Sequence, residues 1–94
     1  MSGVIAAVTV RAAERAKKLG AEQALEALRQ ELELVPRLGV LLGPRRQDGV
    51  EVRKTRIEPV GDVPGLAVAY IYTPAPPPPT VAITSVTPDD GIPE

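Results

Sequence analysis

Five cations, Arg45, Arg46, Arg53, Lys54 and Arg56, fall within a dozen residues of a 94-residue chain whose formal net charge is −1. Guanidinium groups hold phosphate oxygens through paired donors, and an ammonium adds a compact point charge. Lys54 could exchange a proton only where burial or neighbouring cations destabilise its charge. The chemistry open to this stretch is therefore the holding of an anion, with proton transfer as a further demand. A basic patch on a nearly neutral protein acts locally, and the overall charge argues against strong nonspecific nucleic-acid binding. Acidic residues gather in the helical region and in the closing "TPDDGIPE".

Other chemistries are excluded by composition. There is no histidine and no cysteine, so the commonest metal ligand and neutral-pH base is missing, together with thiolates and disulfides. Neither a metal nor a cofactor is expected. No apolar run approaches the ~20 residues of a membrane span, and no basic region precedes the apolar start as in a signal peptide. A cytoplasmic protein that engages no membrane is the expectation.

Periodicity gives the elements that carry the cations. Val4 to Val10 ("VIAAVTV") reads as a strand, with Thr9 able to cap the helix after it. "RAAERAKKLG" is helical, its lysines favourably placed near a C-terminus closed by Gly20. In "AEQALEALRQELELVPRLG", Ala24, Leu25, Leu28, Leu32 and Val35 form one apolar stripe that Pro36 stops. A helical hairpin divided at Gly20 is predicted. "RLGVLLGPRRQDG" reads as loop with one short extended piece. "VEVRKTRIEP" begins after an Asp-Gly turn signal and alternates as a strand. Alternation puts Lys54 and Arg56 on one face and Arg53 with Thr55 on the other, so one set alone can line a groove, and Lys54 with Arg56 is the preferred set.

"LAVAYIYT" and "TVAITSVT" are two further strands, the first with Leu66, Val68, Tyr70 and Tyr72 on one face. Core or edge packing is the preferred role for the tyrosines over stacking on a base. Residues 73–80 hold four consecutive prolines. They read as a hairpin loop that lowers the entropy of the unfolded chain, in preference to a polyproline ligand. The whole is read as one α+β domain over residues 1–94, a small antiparallel sheet with an N-terminal helical hairpin packed on one face, and a flexible end from 89 to 94. Two tyrosines and no Phe or Trp leave an aliphatic core and marginal stability, to which a partner would add.

A first strand, a helical hairpin ending in "ELVP", a Gly-rich link, a basic strand, then "PGLAVAYIY" and "TVAITSVTPDD" resemble the RelE/ParE toxin superfamily of bacterial toxin–antitoxin operons. The resemblance spans almost the whole chain as a pattern of elements. It implies a RelE-like fold, a small RelB-like antitoxin as partner, and cleavage of messenger RNA in the ribosomal A site. Such cleavage by the adjacent 2′-hydroxyl needs a base, positive charge at the phosphate and a proton for the leaving oxygen. The resemblance assigns those catalytic roles to Arg53, Lys54 and Arg56, with Arg45 and Arg46 as RNA contacts. Two departures stand out. "GLAVAY" carries Leu66 and Ala67 where the family has an arginine, and the last strand ends in Asp89 and Asp90 where the family supplies positive charge. They imply a weak, altered or absent nuclease, with the two aspartates on a solvated terminus. The alternatives are a ParE-like or other toxin that acts by binding protein, and a small α+β interaction module. In those readings the basic strand is a solvated face or pairs with an acidic antitoxin segment.

Overall fold

The structure, a computed structural model, describes residues 3–89. After a short strand β1 (Ile5–Val8), Thr9 turns extended and its hydroxyl accepts the Ala12 amide at 3.3 Å. That bond satisfies one of the donors a helix start leaves open. Thr9 thereby ends the strand, and Val10 begins helix α1 (Val10–Lys18) rather than closing β1. Gly20, at φ 69°, makes the left-handed turn that separates α1 from α2 (Glu22–Leu34). Helix α2 buries Leu25, Leu28 and Leu32, spaced to share one face. Val35 lies beyond the helix end and is exposed.

The rest of the chain is a meander of β2 (Val40–Leu41), β3 (Glu51–Ile57), β4 (Leu66–Thr73) and β5 (Thr80–Pro88), each antiparallel to the next. Residues 74–79, the proline-rich stretch, join Thr73 to its cross-strand partner Thr80. The sheet has five strands in the order β1-β5-β4-β3-β2, and β1 runs parallel to β5. The expected small, purely antiparallel sheet is corrected on that point: the sheet is larger and mixed. The physical reason is the long crossover. Between β1 and β5 the chain lays down both helices and three strands, ample length for a parallel return.

Both helices pack on one face of this sheet. Ala12, Ala16, Leu25, Leu28 and Leu32 meet Leu66, Val68, Tyr70, Val81, Ile83 and Val86 in a single core. Along β5, Val81 and Ile83 are two residues apart but Ile83 and Val86 are three apart, which would turn Val86 outward in a regular strand. Thr84 is the extra residue: Tyr70 pairs with Ile83 while Ala69 pairs with Ser85. Its hydroxyl donates to the Ala69 carbonyl at 3.3 Å. This bulge re-phases the strand so that Val86 stays inside and Ser85 and Thr87 are exposed. Among the described residues no element covers the opposite face.

Candidate nucleic-acid interface

Strand β3 divides the predicted basic cluster. Glu51, Arg53, Thr55 and Ile57 pair with Tyr72, Tyr70, Val68 and Leu66, and so share the helix-covered face. Val52, Lys54 and Arg56 pair with Ile71, Ala69 and Ala67 on the open face. Of the three residues with expected catalytic roles, Lys54 and Arg56 are together and exposed, whereas Arg53 is 7% exposed on the other side of the sheet.

Arg53 is held there by local chemistry. Its Nε donates to Glu51 Oε1 at 2.7 Å, and its Nη1 donates to the Gly39 carbonyl at 2.6 Å. Glu51, also buried, accepts from the Arg37 guanidinium at 3.1–3.2 Å, and Arg37 lies over the Tyr72 ring, 5.2 Å from its centroid. Bonded first to Arg37 and then to Arg53, the Glu51 carboxyl is kept below the usual carboxylate range despite burial, which acts in the opposite sense. The Tyr70 hydroxyl donates to the Pro36 carbonyl at 2.8 Å and accepts the Gly39 amide at 2.9 Å. A Cβ on Gly39 would sit 2.5 Å from the Lys54 carbonyl oxygen, so only glycine lets this link lie against β3. The network pins the chain from α2 into β2. The catalytic role expected of Arg53 is therefore withdrawn, because a guanidinium committed to a buried carboxylate and a carbonyl cannot reach a ligand on the open face. Tyr70 and Tyr72, both buried, are core residues rather than stacking platforms.

Arg45 and Arg46 lie on the β2–β3 connection. Arg46 pairs with Asp48 at 2.8 Å, and that pairing together with the Val50 amide lowers the Asp48 carboxyl to about 2. Arg45 approaches Glu51 at 3.7 Å. Arg46 is compensated by Asp48, whereas Arg45 shares Glu51 with Arg37 and Arg53, and the structure does not bring either into the row with Lys54.

On the open face the register continues across three strands. Lys54 stands beside Ala69 and then Ser85, and Arg56 stands beside Ala67 and then Thr87. Two cations at one side, alanines in the middle and hydroxyls beyond share this face, which no described element covers. Arg56 forms an ion pair with Asp89. Asp89 is also fixed through its amide, which donates to the Gly65 carbonyl at 2.8 Å. The solvated-terminus expectation is thus corrected at Asp89, while Asp90 and residues 91–94 lie outside the described residues. Of the five clustered cations, Lys54 alone has no carboxylate within ion-pair distance among the described residues. With Arg53 turned inward and Arg56 neutralised, Lys54 also lacks the flanking positive charge that the linear sequence suggests. Among the described residues, Lys54 is thus the cation of the cluster that the open face presents without an ion-pair partner. Ser85 and Thr87 escaped sequence reasoning because their orientation depends on the bulge at Thr84.

No described helix is long and apolar enough to cross a membrane. Comparison with known protein families, with curated proteins and with solved structures gives no match to this chain.

Proposed function

We propose that this chain is a RelE/ParE-like toxin of a bacterial type II toxin–antitoxin system, acting on translation by engaging messenger RNA at the ribosome through the open sheet face. The observation that carries the reading is the pairing of Lys54 and Arg56 on an uncovered face floored by Ala67, Ala69, Ser85 and Thr87. The element order and a sheet with both helices on one side support a RelE-like fold. In this reading Lys54 binds the phosphate backbone directly. Arg56 does so once RNA displaces Asp89, so nuclease activity is weak or altered, and a small RelB-like antitoxin is the cognate partner.

One observation favours a second reading, action by binding protein. Of the eight large hydrophobics exposed among the described residues, Leu34, Val35, Leu38, Val40 and Leu42 lie in one stretch leading into edge strand β2. An open edge beside apolar side chains suits strand addition or antitoxin docking.

Induction in bacteria separates the two. Lys54→Ala with Arg56→Ala is expected to stay folded and to lose both growth arrest and ribosome-dependent cleavage of messenger RNA. Val40→Asp is expected to weaken copurification with the product of the neighbouring gene and leave growth arrest in place. A folded double variant with full toxicity would transfer the function to protein binding.

A further inference from the structure

We propose that the groove between α1 and the outer edge of β5 is a second phosphate-backbone site, which continues the path of a single-stranded RNA from the open face around the sheet edge. The inference rests on the RNA-binding reading above and adds residues to it. Strand β1 pairs with β5 only as far as Ile83, whereas β5 runs on to Pro88. Beyond Ile83 the outer edge of β5 therefore faces α1, and a groove of about 430 Å³ lies between them, lined by Arg11, Glu14, Arg15, Lys18, Ser85 and Thr87 among others.

Arg11, Arg15 and Lys18 recur at helical spacing and form one stripe, about 10 Å long at 1.5 Å per residue. All three are exposed, and none has a carboxylate within ion-pair distance among the described residues. Helix α2 shows the contrast. Its Arg29 is consumed by Glu26, Glu33 and the Ala6 carbonyl, whereas the cations of α1 remain available and outnumber the single Glu14 in the groove.

Ser85 and Thr87 belong to both surfaces. They line this groove and also stand in the cross-strand rows with Lys54 and Arg56. Two strand spacings of ~4.8 Å separate β3 from β5, so cations flank a strip of alanine and hydroxyl groups short enough for a few nucleotides to cross. Both tyrosines of the chain are buried, and no other aromatic is available for base stacking. Binding is therefore directed to the backbone, indifferent to sequence and strongly salt-dependent.

The test is the salt dependence of affinity for a short, fluorescently labelled oligouridylate, read by anisotropy on the full chain. Three phosphates lost from a single strand lower the slope of log K against log salt by about 2. Arg11→Ala with Arg15→Ala and Lys18→Ala is expected to produce that loss while keeping a cooperative fold, since alanine favours the helix and offsets part of the lost helix-end charge. Lys17→Ala, on the same helix but outside the groove, is expected to leave the slope unchanged. If the triple variant keeps the parental slope while Lys54→Ala weakens binding, the groove proposal is overturned and the open-face reading stands. If the triple variant loses the slope and Lys54→Ala with Arg56→Ala does not, the groove stands as an RNA site on its own, and both the open-face reading and the continuous path are overturned. An oligoglutamate that competes as well as the RNA assigns the groove to acidic peptides and overturns the proposal. A parent protein that fails to bind oligouridylate at low salt overturns both.

Discussion

Replacing Arg53 by alanine is expected to destabilise this protein severely, and the same change one residue on, at Lys54, is expected not to. Arg53 is 7% exposed and donates to buried Glu51 at 2.7 Å and to the Gly39 carbonyl at 2.6 Å. Removing one partner of a buried ion pair costs about 3–5 kcal/mol when the other is stranded. Here Glu51 keeps its bonds to Arg37, which offsets part of that loss. The abandoned Gly39 carbonyl adds about 1–3 kcal/mol where it remains dry. The net expectation is about 2–4 kcal/mol, a large share of the stability of a small domain. At roughly 4–8 °C per kcal/mol for a chain of this size, the melting temperature falls by about 8–32 °C. Lys54→Ala, on an exposed side chain, stays within about 0.5 kcal/mol of the parent. Urea and thermal unfolding followed by far-ultraviolet circular dichroism measure both variants. Equal, mild effects at the two positions would show that β3 does not bury its Arg53 face and would remove the basis for assigning Lys54 to the open side.

Leu28→Ala or Leu32→Ala, on the buried stripe of α2, costs about 2–5 kcal/mol in chemical denaturation; melting within a degree or two of the parent would misplace that helix face. The carboxyls of Glu51, Glu26 and Asp48 are all lowered, the last two to about 2. A carboxylate with a folded value below its unfolded one stabilises the fold above the unfolded value, and the contribution disappears as pH falls through the folded value. The urea midpoint is therefore flat from pH 8 to about 5 and falls between about pH 4.5 and 2; a midpoint unchanged at pH 2.5 would contradict the ion-pair assignments.

What was legible in the sequence was local. Thr9 as a cap, Gly20 as the break between helices, the leucine stripe and the shared face of Leu66, Val68, Tyr70 and Tyr72 each come from spacing within a single element, and the structure has them. The parallel pairing of β1 with β5 was not legible, because it joins the two ends of the described chain and leaves no mark in either strand's pattern. Alternation separated Arg53 from Lys54 correctly but could not say which face is buried. Burial fell to the charged pair because Glu51 and Arg53 neutralise each other two residues apart and find Arg37 and the Gly39 carbonyl nearby. Ser85, Thr87 and Asp89 needed three-dimensional information of another kind: the first two depend on one extra residue at Thr84, and Asp89 meets Arg56 only after β5 has returned beside β4. The groove beside α1 left no mark in the sequence either, because nothing in that helix announces that β5 outruns β1 beside it.

RNA binding to the sheet face opposite the helices is the proposal on which the proposed function rests. Titrating the isotopically labelled protein with oligouridylate at low salt and following amide shifts by NMR tests it residue by residue. Shifts are expected to concentrate at Lys54, Arg56, Ala67, Ala69, Ser85 and Thr87, with Arg53 and the buried face of α2 unmoved. Shifts confined to Leu34–Leu42 and β2, or no shift on the open face at saturating RNA, would contradict it.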